Sequence, residues 1–458
     1  MSSSASCVDF QGEQGAQTPH SVIHRKSEPF TSHQPFQSSQ SLQSSRMFRS
    51  QLLDPTTPIF KPWVGSKRRK HDDRKVRFAF LTTIFLGVFG AAALIALGYI
   101  SVPQHQYCLV LEDQFQGTSI DTRIWRHEQQ TGGFGNGEFE WTTDSTNNSY
   151  VKDGKLYIVP TLTSDALGTA AIVDGYTLNL TETSACTSAN VSDPYCAVAS
   201  NATTGVVLPP VQSARLITNF STSIKYGRVE VTAKMPKGDW IWPAIWLLPK
   251  DSVYGEWPRS GEIDLFESRG NELRHHRDDS YNRMHSTLHW GLDSATDRYY
   301  RTTDQRQLYR DFYADEFHTF GLEWTPEEIF TWEGSPINKV FAWKFTNSFW
   351  DLGRFPTASN NGTTYSNPWS PLNKAAPFDQ EFYLILNVAV GGTNGYFDEP
   401  DMPWSNQADN ARRQFWAARE QWYPSWPAKP EDRGMVVDSV KIWQLDGVEG
   451  KSCPGAVQ

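Results

Sequence analysis

An uninterrupted apolar run from Phe78 to Ile100 contains no charged residue and divides the chain into two unlike parts. An α-helix rises about 1.5 Å per residue, so a run of this length spans the roughly 30 Å hydrocarbon core of a bilayer. A cleaved signal peptide has a shorter apolar region that begins near residue 1, unlike this run. The sequence therefore predicts a transmembrane helix at residues 78–100, in contact with the lipid bilayer.

Charges on the two sides of this run predict its orientation. Seven Lys and Arg residues lie in the basic juxtamembrane segment 67–77, and the next one after the run is Arg123. Basic flanks stay on the cytoplasmic side, which places residues 1–66 in the cytoplasm and the larger C-terminal part outside it. The hypothesis is a single-pass type II membrane protein of the plasma membrane or the secretory pathway, with a lumenal or extracellular C-terminal part.

Residues 1–66 are rich in Ser and Gln, and their scattered apolar residues follow no helical or strand period. Such a segment cannot bury enough apolar surface to offset the entropy lost on ordering. It is predicted to be a disordered cytoplasmic tail.

Cysteines and sequons after the run agree with an oxidising, glycosylating compartment. Four cysteines follow the run and allow three pairings. We favour Cys186–Cys196, which closes a short polar loop, and Cys108–Cys453, which joins the two ends of the C-terminal part. A metal site is the alternative, but the spacings match no zinc pattern. The predicted N-glycosylation sites are Asn147, Asn179, Asn190, Asn201, Asn219 and Asn361.

Short β-prone runs separated by turn signals fill residues 108–446 and predict one all-β domain, followed by a C-terminal tail at 447–458. Without a βαβ rhythm, these runs favour an antiparallel β-sandwich. A single helix is predicted from Asn406 to Trp422, as an insertion. The predicted strands are 109–115, 155–160, 223–236, 241–248, 261–267, 284–290, 318–325, 329–332, 341–345, 382–390 and 436–445.

Composition narrows the class of ligand. The chain has a net charge of -9 and 18 Trp residues. Nucleic-acid binding needs a basic face, so a nucleic-acid partner is not expected. Indole rings stack on the C–H faces of pyranose sugars, and the sugar hydroxyls need polar partners. The composition therefore suits a carbohydrate-binding cleft, although many of the Trp residues are expected in the core.

Three carboxylates lie close together in the β-prone stretch from Ser260 to Arg269. Side chains of a strand alternate between its two faces, so Glu262 and Asp264 share one face. Glu267 would point to the other face unless a β-bulge absorbs one residue and returns it. Three acids on one face repel each other, which is more often found at a reaction centre than in packing.

The same stretch, Gly261-Glu-Ile-Asp-Leu-Phe-Glu267, resembles the signature of glycoside hydrolase family 16 in its bulged, laminarinase-like variant. The flanking segments resemble especially the β-1,3-glucan recognition proteins of invertebrates and their fungal relatives. The membrane-anchored layout is similar to that of fungal wall proteins associated with β-glucan synthesis. The supporting segments are Lys234–Trp246, Trp257–Gly261, Glu267–Asn271, Phe317–Trp324 and Leu386–Gly392.

This resemblance implies a concanavalin A-like β-jelly-roll with a glucan cleft. It also implies a retaining mechanism with Glu262 as nucleophile, Glu267 as general acid/base and Asp264 as the helper between them. No cofactor is required, although a structural calcium ion near the ends of the domain is expected in the family. The expected sugar contacts are His289, Trp257, Arg259, Trp246, Trp242, Asn136, Glu138, Trp141 and Trp290.

The leading hypothesis is therefore a membrane-anchored retaining endo-β-1,3-glucanase that hydrolyses or remodels cell-wall β-glucan. One alternative is a β-glucan transglycosylase or synthesis-associated wall protein, because a covalent glycosyl-enzyme can be released by a sugar instead of water. The other alternative is a β-1,3-glucan-binding protein without catalytic activity.

Overall fold

The computed structural model describes residues 54–56, 58–101, 105–192, 194–273, 280–358, 362, 364–369, 373–398 and 400–448. The chain forms two compact units, Met1–Ile100 and Ser101–Gln458. Each unit is described by itself.

The described part of the first unit is dominated by one long helix, α1 (Lys67–Ser101). Its first turn is capped by the Ser66 hydroxyl, which accepts a hydrogen bond from the backbone N–H of Arg69 at 3.2 Å. By length and composition, α1 is the one helix among the described residues that could cross a membrane. The basic segment 67–77 forms its first turns. Most of the predicted disordered tail lies outside the described residues.

The second unit is built from short strands. These are β1 (Tyr107–Asp113), β2 (Arg126–His127), β3 (Glu140–Thr142), β4 (Ser149–Lys152), β5 (Lys155–Ile158), β6 (Thr161–Leu162), β7 (Thr177–Asn179), β8 (Ala197–Ala199), β9 (Val211–Ser213), β10 (Arg215–Ile217), β11 (Ser223–Ile224), β12 (Gly227–Lys234), β13 (Ile241–Pro249), β14 (Glu262–Glu267), β15 (Arg283–His289), β16 (Thr303–Gln307), β17 (His318–Trp324), β18 (Glu328–Glu333), β19 (Lys339–Lys344), β20 (Phe382–Val390) and β21 (Met435–Leu445).

The helices of this unit are short. They are α2 (Thr163–Leu167), α3 (Thr169–Val173), α4 (Phe349–Gly353), α5 (Ala411–Ala417), α6 (Arg419–Trp422) and α7 (Pro430–Arg433), with 3-10 turns at Gly133–Gly135, Ser294–Thr296, Tyr299–Arg301 and Tyr423–Ser425.

Within the described chain, the strands form two large antiparallel sheets and two small ones. Sheet A has the order β19-β18-β17-β12-β21-β5-β4, with β1 also paired to β21. Sheet B has the order β16-β15-β14-β13-β20-β10-β2, with β11 also paired to β20. A single large hydrophobic cluster joins residues of both sheets. The predicted antiparallel β-sandwich is confirmed.

The strand predictions succeed where hydrophobic alternation is clear. In β12, buried and partly exposed residues alternate along the whole strand, and β20 has the predicted bounds, Phe382–Val390. The missed strands are very short or buried on both faces. For example, β9 and β10 consist entirely of buried residues and therefore show no period of two.

The predicted helix from Asn406 to Trp422 is wrong in extent, because the chain forms the shorter helices α5 and α6 there. Asn406 is held in a loop, where its amide donates to the carbonyl of Phe397 at 2.8 Å. Its side-chain oxygen accepts from the indole of Trp404 at 3.1 Å. Because these contacts hold Asn406 in a loop, the helix begins only at Ala411.

The predicted Cys186–Cys196 disulfide is present, with a Cα–Cα distance of 5.5 Å. Cys108 lies in β1, whereas Cys453 lies outside the described residues, so the pairing of Cys108 with Cys453 stays a prediction. Among the sequon asparagines, Asn147, Asn190 and Asn201 are exposed, and Asn179 and Asn219 are partly buried. Asn361 lies outside the described residues.

Candidate active site

Glu262, Asp264 and Glu267 lie on one face of β14, the face of sheet B turned away from the core. A register shift occurs between Asp264 and Glu267 in the pairing of β14 with β15. The two intervening residues, Leu265 and Phe266, are consecutive and both fully buried. This is the β-bulge that the sequence pattern required, and it returns Glu267 to the face shared by the other two acids. We call this surface the acidic face.

The backbone before β14 fixes where the acidic face begins. Gly261 has a φ of +83°, a conformation that side chains other than glycine rarely adopt. A Cβ atom at this position would also lie 2.9 Å from the ring of Phe378. Glycine is therefore required for the close approach that sets the direction of Glu262.

An indole N–H group holds each of the two outer carboxylates. Trp257 Nε1 donates to Glu262 Oε2 at 2.8 Å, and Trp242 Nε1 donates to Glu267 Oε1 at 2.9 Å. The Trp242 ring is itself stacked on Tyr396, with 3.9 Å between ring centroids. Both acids are thus oriented by rigid side chains.

The third carboxylate pairs with a histidine. His289 ends β15 opposite Glu262, and its Nε2 atom lies 3.3 Å from Asp264 Oδ2. Its Nδ1 atom lies 2.6 Å from Asp297 Oδ2. The other oxygen of Asp297 accepts backbone N–H groups from Trp290 and Tyr299. Asp297 was missed in the sequence analysis, because it lies in a loop with no periodic pattern.

The proton affinities of these groups are strongly perturbed. Burial raises the pKa of Glu267 to about 8; repulsion from Asp264 adds to the shift, and the charge of His289 opposes it. Burial and Asp264 also raise the pKa of Glu262 well above its ordinary value. Burial alone would lower the pKa of His289, but hydrogen bonds to Asp264 and Asp297 outweigh it and raise that pKa well above its usual range. At neutral pH these shifts favour the charged form of His289 and the protonated form of Glu267.

The acidic face continues across β13, β20 and β10. The Trp246 indole donates to Asn387 Oδ1 at 2.7 Å. The guanidinium of Arg215 lies over the rings of Trp246 and Phe134, at 4.6 and 4.1 Å from their centroids. Trp246 was expected at this surface, whereas Arg215, Phe134 and Asn387 were not. Arg215 lies in a short, fully buried strand and Phe134 in a 3-10 turn, and Asn387 lies in a strand that is buried at almost every position, so none of them shows an alternation.

Several other predicted sugar contacts have structural partners. Arg259 is partly buried and donates twice to the carbonyl of Leu292. Trp141 is partly buried and donates to Thr163 Oγ1 at 3.2 Å. Asn136 joins two loops, because it donates to Glu138 at 2.9 Å and accepts from Asn394 at 3.1 Å.

Burial contradicts the predicted sugar contacts at Trp290 and Glu138, and Trp242 is also buried, with 6% of its surface exposed. Trp290 is fully buried among Phe349, Phe355 and Trp369, and its indole donates to Thr302 Oγ1 at 2.7 Å. Trp290 follows His289 directly, so strand alternation turns it to the core. Glu138 is only 3% exposed and belongs to the buried polar group described next.

This group at one end of sheet B consists of the buried Glu138 and Glu140 and the partly buried Arg412. Glu140 Oε2 accepts the backbone N–H of Val390 at 2.8 Å. Burial raises the pKa of Glu140 well above its ordinary value, and Glu138 adds to the shift. Arg412, on α5, donates to the carbonyls of Thr131 and Glu138, and burial lowers its pKa to about 10. The group fastens an N-terminal loop to β20 and α5.

The described residues do not offer side chains for the calcium ion expected near the domain ends. Two acids near the ends are paired with lysines, Glu112 with Lys441 and Asp438 with Lys155. Among the described residues, Glu262, Asp264 and His289 alone bring three ligand atoms together, within 4.8 Å of one another. An imidazolium between two carboxylates is a poor metal ligand, so we assign no metal there. Calcium held by backbone carbonyls stays a prediction.

The fold and the acidic face define a β-jelly-roll of the carbohydrate-active class, and the comparisons with known proteins agree. Residues 177–370 match the model of glycosyl hydrolases family 16. A β-1,3-glucan-binding protein of Penaeus monodon is 39% identical over 349 residues, which are 75% of this chain and 92% of that protein. The chain belongs to glycosyl hydrolase family 16.

Two further similarities involve enzymes. Glucan endo-1,3-beta-glucosidase A1 of Niallia circulans is 31% identical over 66% of this chain, which spans 37% of that protein. The laminarinase structure from Rhodothermus marinus is 23% identical, with a TM-score of 0.45, and the alignment covers 75% of this chain and 99% of that one.

Proposed function

We propose that this protein is a membrane-anchored, retaining endo-β-1,3-glucanase. The observation that carries the proposal is the paired arrangement of two indole-held carboxylates, Glu262 and Glu267, on either side of Asp264. The proposed substrate class, β-1,3-glucan, is the one specified in the names of the family relatives. A binding protein needs no carboxyl group with a pKa near 8, whereas a general acid does.

In the proposed reaction, Glu262 attacks the anomeric carbon and Glu267 protonates the leaving glycosidic oxygen. The bond to the leaving sugar breaks, and a covalent glycosyl-enzyme forms. Glu267 then takes a proton from water, which displaces Glu262 and regenerates both carboxyl groups. Glu262 must be ionised to attack, and the Trp257 N–H group and the His289 charge act against the burial and the Asp264 repulsion that raise its pKa. Asp264 holds His289, which lies opposite Glu262 on the neighbouring strand.

Product analysis tests the proposal directly. The full-length chain in detergent micelles is incubated with laminarin, a soluble β-1,3-glucan, and the products are followed by mass spectrometry and proton NMR. We expect short oligosaccharides whose new reducing ends appear first as the β-anomer. Glu262→Gln protein, purified in the same way, excludes a contaminating glucanase. Absence of both shorter and longer products would overturn the enzymatic proposal.

The same experiment separates hydrolysis from transfer. The glycosyl-enzyme of a retaining glycosidase can react with water or with an acceptor sugar. Oligosaccharides longer than the starting chains, appearing before short ones, would favour the transglycosylase or wall-synthesis alternative. Products that only shorten would favour hydrolysis.

A glucan-binding protein without catalysis is the second candidate, favoured by the name of the Penaeus monodon relative. If binding were the whole function, Glu262→Gln and Glu267→Gln proteins would bind laminarin as wild type does, and wild type would release no product. The retained carboxylates argue for the enzyme.

We also propose a type II topology, supported by the charge-free part of α1 and the seven basic residues before it. Protease added to sealed microsomes should then remove residues 1–66 and leave the glycosylated C-terminal unit intact. An antibody to each end measures the outcome on blots. Protection of the N-terminal end, with loss of the C-terminal end, would contradict the proposed topology and indicate the opposite orientation.

A further inference from the structure

We propose that Tyr299 and Tyr300, in the connection between β15 and β16, form a sugar-stacking surface that extends the glucan cleft beyond the three acids. The proposal rests on the proposed function and names two binding residues that the sequence pattern did not indicate. The occupant is a further stretch of the same β-glucan chain.

The first argument is continuity with the acidic face. Trp257, which holds Glu262, lies 5.7 Å from the ring of His289. The His289 ring is stacked on Tyr299 at 5.3 Å, and Tyr299 meets Tyr300 at 6.1 Å. The rings are therefore in contact one after another, starting at the residue that holds Glu262. The planes of His289 and Tyr299 lie 25° apart, and Tyr300 meets Tyr299 edge to face, so the two tyrosines present differently oriented surfaces beside the acidic face.

The second argument is exposure. Trp257 is 45% exposed, Tyr299 47% and Tyr300 55%. Large aromatic side chains are costly to leave in water, and exposed aromatic rows beside a cleft are typical of ligand-binding surfaces. A pyranose ring that covers these faces would remove apolar surface from water, and the tyrosine hydroxyl groups would remain free for sugar hydroxyls.

The third argument is rigidity. The two tyrosines lie in a 3-10 turn, Tyr299–Arg301. Asp297 accepts the backbone N–H of Tyr299 at 3.1 Å at its start. At its end, the buried Thr302 side chain donates to Leu288 O at 2.9 Å and accepts from Trp290 Nε1 at 2.7 Å. A surface fixed in this way loses little conformational entropy when a ligand binds, which favours affinity.

Binding of β-1,3-linked oligosaccharides of different length tests the proposal. The full-length chain in detergent carries Glu262→Gln, so that ligands stay intact, and binding is measured by calorimetry. Adding Tyr300→Ala should weaken laminarihexaose binding about tenfold and laminaritriose binding less than twofold. Tyr300→Trp keeps an aromatic face and should restore the hexaose affinity. Tyr299 is left unchanged, because its ring also packs on His289.

Tyr309 provides the matched control, because it is 87% exposed and follows the opposite end of β16. Tyr309→Ala should leave both affinities unchanged. Equal hexaose affinities with and without Tyr300→Ala, or equal losses for both ligands, would overturn the proposal. Failure of the proposed function gives a different result, because wild-type protein would then bind laminarin without releasing products.

Discussion

Glu262→Gln and Glu267→Gln are each expected to lower kcat/KM on laminarin by about 10³-fold or more. Glutamine has nearly the same shape as glutamate but can neither attack the anomeric carbon nor exchange a proton. Both variants should bind laminarin within about threefold of wild type, because sugar binding does not require these steps. The rate of reducing-end release by the full-length chain measures the loss.

Glu256→Gln is the control, because Glu256 is an exposed carboxylate shortly before the same strand. It should retain wild-type activity. The proposed roles would be contradicted if Glu262→Gln or Glu267→Gln protein hydrolysed laminarin as fast as this control. They would also be contradicted if all three variants lost activity together.

The pH dependence of the same reaction reports on Glu267. A general acid must be protonated, so activity should be present below the pKa of Glu267 and fall as the pH rises through about 8. The His289 charge lowers that pKa, so His289→Gln should move the alkaline limb to higher pH. Residual activity of Glu267→Gln should lack this limb. An alkaline limb that persists in Glu267→Gln would assign the proton to another group.

Arg412→Met is expected to lower the free energy of unfolding by about 2–3 kcal/mol. The substitution removes the hydrogen-bond donor for the carbonyls of Thr131 and Glu138. Both carbonyls belong to buried residues, so the loss of these hydrogen bonds accounts for the expected effect. Thermal unfolding, followed by tryptophan fluorescence, should show a midpoint several degrees lower.

Arg413→Met is the matched control on the same helix, because Arg413 is exposed. Its effect should stay within about 0.5 kcal/mol of wild type. Glu140→Gln should also be mild, because the raised pKa favours the neutral form of Glu140 and glutamine can still accept the N–H of Val390. Equal destabilisation by Arg412→Met and Arg413→Met would show that the buried group contributes nothing beyond a lost surface charge.

The sequence predicted those parts of the site that local periodicity controls. The shared face of Glu262 and Asp264 follows from alternation, and the bulge before Glu267 follows from the same rule. Alternation also indicates that Trp290 points to the core, once His289 is placed on the acidic face, whereas the resemblance to the family placed Trp290 in the cleft. These features depend on neighbours along one strand.

The remaining parts depend on contacts between segments far apart in the chain. Glu138 was misassigned because its burial depends on packing against α5, whose Arg412 donates to the Glu138 carbonyl from more than 270 residues away, and no local pattern connects the two. Asp297 and Arg215 were missed for the same reason. Their roles depend on a 3-10 turn after β15 and on the pairing of β10 with β20, which single-sequence patterns do not encode.

The position of β21 in sheet A has a consequence for biosynthesis. This last strand pairs with β1, β12 and β5 and so lies inside the sheet. The ribosome makes the strands in chain order, so β1 and β12 cannot pair with β21 until residue 445 has been made. Pairing between strands that are far apart in the sequence is slow, because closing the long loop between them costs entropy before any stabilising contact forms. The second unit can therefore complete its folding only after residue 445 has been made, and a nascent chain truncated before β21 would leave the edges of β1, β5 and β12 that face this strand unpaired.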